Sequence, residues 1–179
     1  MKVMPSCASS LSMLVGLLLA APAMAELQFS GNLRDSSCQP DAASAALEVT
    51  FLDAPVQQFR FAPGHSAAKA FAIQLNHCQP EEVGKLIKVI FTGEEEGALP
   101  GALKVSGNNS GKLAIQLFTA DGRQPVRLGA SDVGGDAIAG DAVTLRYSAR
   151  VQATPEALSN GSVQPGDYSA IATYQLSYQ

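Results

Sequence analysis

The chain has 179 residues, of which 46% are hydrophobic and 16% charged, with no tryptophan. That length and apolar share suffice for the core of one domain or a small pair, and the composition is not that of a disordered chain. Its 12 Lys and Arg against 16 Asp and Glu give a formal charge of -4, which on balance repels a phosphate backbone, and no basic run offsets it; a nucleic-acid partner is excluded.

The N-terminus reads as an export signal. Lys2 is a minimal positive region, residues 11–21 form an apolar run, and Ala23-Met24-Ala25 is an A-x-A cleavage site. Residues 1–25 are therefore assigned to a cleaved signal peptide, with Glu26 opening the mature chain; cleavage after Ala23 is the alternative. The apolar run falls well short of the roughly 20 residues that span a bilayer, so no membrane span is expected in the mature chain. Cys7 leaves with the signal. The remaining pair, Cys38 and Cys78, is expected to form a disulfide in an oxidising compartment, and closing a loop of about 40 residues contributes roughly 3 to 4 kcal/mol on the chain-entropy model.

Strand signals then follow in order. In 26–34, Leu27, Phe29, Gly31 and Leu33 alternate with Glu26, Gln28, Ser30 and Asn32, which makes one apolar face on which a single position has no side chain. A glycine inside a strand marks a bulge or the close approach of another backbone. Further strands are expected over 46–52 (Leu47, Val49 and Phe51 on one face), 70–76 (Phe71, Ile73, Leu75) and 85–91 (Ile87, Val89, Phe91). Next come Leu113, Ile115 and Leu117, a hairpin turn at Ala120-Asp121-Gly122-Arg123, then Val126 and Leu128. Residues 143–153 put Val143, Leu145, Tyr147, Ala149, Val151 and Ala153 inward. No segment holds helical periodicity over three turns, and 93–101, 106–111 and 129–140 read as surface loops. Strands broken at short intervals by Gly and Pro predict an all-β, single antiparallel β-sandwich.

The last strand starts at Tyr168 and runs to the end, with Tyr168, Ala170, Ala172, Tyr174, Leu176 and Tyr178 on one face. Edge strands are ordinarily blunted by charge or proline, yet from Gly166 to Gln179 the only charge is Asp167. The pattern leaves two readings open: a strand paired on both sides within the chain, or an edge that takes a partner.

Catalytic chemistry finds no support. His65 and His77 are the only histidines and sit among loop signals, too few ligands for a metal site. The run Glu94-Glu95-Glu96 between glycines reads as a solvated turn. Gly107 to Lys112 falls one residue short of a phosphate loop and has Leu113 where a Ser or Thr belongs. No enzyme activity, catalytic residue, metal or cofactor is expected.

Taken together, the signal, Phe29-Ser30-Gly31 ahead of Arg34-Asp35-Ser36-Ser37-Cys38, Phe71 to Cys78, Lys88 to Gly93, Leu113 to Leu117, Arg146 to Arg150, Gly166 and the penultimate Tyr178 resemble the pilin subunits of chaperone-usher fimbriae. The resemblance covers the mature chain. It implies an incomplete immunoglobulin-like sandwich lacking the seventh strand and completed by a donor strand from a partner. Residues 26–34 would be the donor extension, with Leu27, Phe29, Gly31 and Leu33 entering a neighbour's groove, and 35–179 the pilin domain. Burying three such apolar side chains contributes on the order of 5 to 9 kcal/mol gross. Gly166, Tyr168, Tyr174, Leu176, Tyr178 and Gln179 would line this chain's own acceptor groove and meet the chaperone; Cys38 and Cys78 match the family disulfide. Implied partners are a periplasmic chaperone, an outer-membrane usher and neighbouring pilins, with export through the periplasm and assembly on the cell surface. The short extension before Cys38, and Arg34-Asp35, resemble minor tip or adaptor subunits of type 1 fimbriae. The alternatives are a major shaft pilin, or a self-contained secreted β-sandwich that binds carbohydrate or protein.

Overall fold

A computed structural model describes residues 38–131 and 135–179. The signal at 1–25, the positions Leu27, Phe29, Gly31 and Leu33, and the boundary between 34 and 35 lie outside the described residues.

Nine strands occur among the described residues: β1 (Gln39–Pro40), β2 (Lys69–Asn76), β3 (Leu86–Gly93), β4 (Leu103–Lys104), β5 (Leu113–Thr119), β6 (Pro125–Val126), β7 (Asp136–Ala137), β8 (Val143–Ala153) and β9 (Ala172–Tyr178). All pairings are antiparallel. One sheet runs β1-β2-β8-β5-β4, with β6 also on β5, and the other runs β7-β3-β9. β-branched and aromatic residues at alternate positions suit such pleated, one-face-buried strands.

The inner faces meet in a single core. Ile73 and Leu75 of β2, Leu145 and Val151 of β8, and Ile87 and Val89 of β3 are fully buried. Phe71, Phe91 and Tyr147 form an aromatic cluster linking the sheets, with the Phe91 and Tyr147 rings edge-to-face at 5.0 Å and Phe71 stacked on Tyr147 at 5.8 Å. Such ring pairs contribute about 0.5–1.5 kcal/mol beyond their buried area. This is the antiparallel, incomplete immunoglobulin-like sandwich, and among the described residues its smaller sheet has three strands.

The longest alternation reproduces the expected element: β8 spans Val143–Ala153 and pairs with β2 along one side and β5 along the other. The hairpin expected at 120–123 joins β5 to β6, with Thr119 N–H donating to Gln124 O and Gly122 at φ 68. Cys38 and Cys78 are bonded, tying the start of β1 to the end of β2.

Several expectations are corrected. Residues 46–52 form no strand: they run without a ladder partner among the described residues. The last strand enters its ladder at Ala172 rather than Tyr168, because β3 ends at Gly93 opposite Ala172 and the chain before it bridges to Ser106 instead. The 129–140 stretch holds β7, paired with Leu86 and Ile87, and its neighbour Ile138 is buried. Glu96 is buried at 6% exposure, so the run Glu94-Glu95-Glu96 is not a wholly solvated turn; Glu96 accepts from Ala98 N–H and Glu95 from Gly101 N–H.

Among the described residues three short α-helices interrupt the strands: α1 (Ala42–Ala45), α2 (Gln57–Arg60) and α3 (Pro155–Asn160). They are too short for periodicity to reveal, but their caps are present in the sequence. The Asp41 carboxylate accepts the Ser44 N–H at 2.7 Å to start α1, and hydrogen bonds from Ser44 hold its pKa below the ordinary carboxylate value. Around α3, the Thr154 hydroxyl accepts from Ala157 N–H, Pro155 occupies the first turn, and Gly161 closes the helix in the left-handed conformation.

Candidate functional site: an open strand groove

The site begins with the hydrogen-bond phase of β9. Leu86 and Gln179 exchange both backbone bonds, at 2.9 and 3.0 Å. In an antiparallel ladder the bonded pairs alternate, so Ser177, Gln175 and Thr173 direct their amides to β3. Ala172, Tyr174 and Leu176 direct theirs the other way. Among the described residues β9 has one ladder partner, β3, which leaves that side as a sheet edge.

Facing this edge runs 46–53, which contains the 46–52 segment expected as a strand. Its apolar residues Leu47, Val49 and Phe51 do share a face, and that face lines a cavity of about 780 Å³ opposite Ala170, Ala172, Tyr174, Leu176 and Tyr178. The floor comes from both sheets and includes Phe71, Ile73, Phe91, Leu103, Ile115, Leu117 and Ala149. A second cavity of about 650 Å³ shares Leu47, Val49, Phe51, Ile115 and Ala170 with the first and continues the groove past Tyr168 to Gly166.

Three contacts hold the walls in alignment. Tyr178 Oη donates to Cys38 O at 3.3 Å, Tyr174 Oη donates to Ser44 O at 3.0 Å, and the Tyr168 and Phe51 rings lie 6.4 Å apart. The walls therefore run in opposite directions. Burial, and secondarily the charge of Asp41, raises the pKa of Tyr174; burial and then Asp53 raise that of Tyr168. Both phenols stay neutral donors at physiological pH.

Five of the six C-terminal candidates line the two cavities. Tyr174, Leu176 and Tyr178 line the first cavity, and Gly166 and Tyr168 the second; Gly166 has φ 143 and a Cβ there would meet Asn108 Nδ2 at 3.3 Å. Gln179 is exposed and extends the ladder to Leu86. The sequence reading missed the opposite wall, Ser44 and Leu103 in the lining, and the buried Asn109, whose side chain bonds Gln164 N–H and O beside the groove. Only the alternation of Leu47, Val49 and Phe51 pointed to that wall.

Among the described residues no group of three or more His, Cys, Asp or Glu side chains is placed to hold a metal, and no helix is long and apolar enough to cross a membrane. The groove offers an apolar trough beside unladdered backbone, which is the chemistry of strand addition: main-chain bonds provide affinity and alternate side chains fill the trough.

Comparison with known proteins converges on one family. Residues 27–179 match the family described as "Fimbrial protein". Protein PrsK of Escherichia coli is 42% identical over 170 residues, covering 93% of this chain and 96% of that protein. The Fimbrial adapter PapK of Escherichia coli is 40% identical over 170 residues, with the same 93% and 96% coverage. In fold, the chain resembles the P pilus rod subunit PapA with a TM-score of 0.68 at 23% identity, covering 80% of this chain and 100% of that one.

Proposed function

Since the chain belongs to the fimbrial protein family, we propose that it is a structural subunit of a chaperone-usher fimbrium, a minor adaptor that joins neighbouring subunits by donor-strand complementation and exchange. The observation that carries this reading is the groove between 46–53 and β9, with β9 laddered to β3 and to no other strand among the described residues. Fimbrial subunits are exported and assembled at the cell surface. The adaptor assignment is supported by a relative of nearly equal span that bears that name.

In this role the groove accepts one extended strand. Its backbone pairs with the outward amides of Ala172, Tyr174 and Leu176, while alternate side chains enter the trough. Each apolar side chain so buried stabilises the joint by about 1.5–3 kcal/mol gross, so release is slow. A periplasmic chaperone supplies the strand before assembly, the usher directs the exchange, and a neighbouring subunit supplies the final strand. The Gln179 terminus, at the end of the β3–β9 ladder, is the chaperone's anchor point. Residues 26–34 are this chain's own donor segment, with Leu27, Phe29, Gly31 and Leu33 as the inserted face, 35–179 the body, and 1–25 the cleaved signal. The role is architectural rather than enzymatic.

Deleting 26–33 separates the two halves of the reading. The truncated chain is expected to bind its chaperone normally and to fail to join a preceding subunit. Normal incorporation of the deletion would overturn the donor assignment. Replacement of Gly31 by Leu is expected to block insertion into the neighbour without unfolding this subunit; normal polymerisation would show the register to be wrong.

A further inference from the structure

The end of the groove beyond Tyr168 differs in charge from the rest. With the walls aligned by the Tyr178–Cys38, Tyr174–Ser44 and Tyr168–Phe51 contacts, the next acidic residue on each wall lines the same cavity. Asp53 follows Phe51 by two positions, and Asp167 immediately precedes Tyr168. Both line the second cavity, as does Glu48. Both aspartates are exposed, and among the described residues neither has a Lys, Arg or His nitrogen within 4.0 Å, whereas Glu82, Glu94 and Asp121 do. The Asp53 charge reaches into the groove, where it contributes to raising the Tyr168 pKa. The remainder of the trough, from Leu47 and Val49 to Leu176, is lined mainly by apolar side chains.

We infer that this end of the groove selects for charge: the strand it accepts carries a lysine or arginine just beyond its last apolar residue, and that cation lies between Asp53 and Asp167. The inference rests on the strand-acceptor reading above and names the chemistry of the occupant. A strand antiparallel to β9, matching every other pairing in the fold, enters from the Tyr178 end and reaches the aspartates with its C-terminal residues. A strand with an acidic residue there would place a third carboxylate between two. In the protein's own sequence the apolar alternation of 27–33 is followed directly by Arg34, so the same pattern, apolar alternation then cation, provides a ready probe. Because the aspartates are exposed, their effect falls mainly on encounter and on choice among strands rather than on residence.

The test uses the mature chain and two labelled nine-residue peptides with the sequence of residues 26–34, one carrying Arg34 and one Arg34→Gln. Stopped-flow anisotropy reads association at low and high salt. The Arg peptide is expected to associate about three- to tenfold faster than the Gln peptide at low ionic strength, with the ratio falling towards one in about 1 M salt. In the doubly substituted Asp53→Asn, Asp167→Asn protein the ratio is expected to be near one at every salt concentration. Equal rates for the two peptides on the unsubstituted protein, or a ratio that survives the double substitution, would overturn the charge selection while leaving the groove intact as an acceptor. Failure of both peptides to associate would overturn the acceptor reading and this inference with it.

Discussion

β8 and β9 carry the same alternation of apolar and polar residues but occupy opposite situations in the sheets. β8 is flanked along its length by β2 and β5, and its inward residues Leu145, Tyr147, Ala149 and Val151 are buried. Among the described residues β9 is flanked by β3 alone, and its inward residues Tyr174, Leu176 and Tyr178 are half-buried, lining a trough. Alternation reports which face of a strand meets apolar surroundings. It does not report whether the strand's edges are occupied, because edge bonding uses backbone groups that every residue possesses. The difference between a core strand and an acceptor strand thus lies in what stands beside it.

Substitutions in the two strands separate a core role from an acceptor role. The largest effect is expected from Leu145→Ala in β8, which leaves a cavity between well-packed sheets and should cost about 2–5 kcal/mol in denaturant unfolding. The matching change in β9, Leu176→Ala, should cost the isolated body less, since its side chain already faces the trough, and should instead speed the release of an inserted strand. Equal losses of unfolding stability at the two sites would argue that the groove is part of the closed core.

Loss of the Cys38–Cys78 bond comes next. Removing both thiols as Ala should cost roughly 3 to 4 kcal/mol from the loop it closes. Because Cys38 O also receives the Tyr178 hydroxyl, the change should additionally weaken capture of a strand, measurable as faster dissociation of a bound peptide.

A smaller effect is expected from Tyr174→Phe, which removes the hydroxyl that spans the groove to Ser44 O. A loss of about 0.5–1.5 kcal/mol in unfolding, with β3–β9 pairing retained by amide exchange, would identify the tyrosine as a tie between walls.

The smallest effect concerns pH. Asp41 caps α1 at the start of the same wall, and its pKa is held below the ordinary 3.8. A carboxyl with a depressed folded pKa contributes stability above its unfolded pKa and loses it as pH falls through the folded one. A slight acid-side destabilisation below pH 3.8, absent in Asp41→Asn, is the expected outcome in pH-dependent unfolding.

Much of the fold was legible because strand faces are written in every second residue. β2, β3, β5 and β8 fall close to where their alternation put them, and the disulfide followed from two cysteines in an exported chain. The helices were not legible: four to six residues give at most two turns, too few for a 3.6 period, although Thr154-Pro155 before and Gly161 after α3 are cap signals of the ordinary kind. Half of the groove was also misread. The alternation of Leu47, Val49 and Phe51 was a correct statement about a face and an incorrect one about a ladder.

The order of residues already carries the faces of the strands and the terminal run of tyrosines whose edge has no protective charge. The packing of the two sheets adds that, among the described residues, β9 ends its sheet and 46–53 stands across from it without a ladder partner, and that Asp53 and Asp167 both line the far end of the trough. The reason is the range of the interactions. Side-chain periodicity is local and repeats within a few residues, whereas the groove is defined by walls more than a hundred residues apart in sequence, aligned by contacts such as Tyr174 to Ser44, separated by 130 residues.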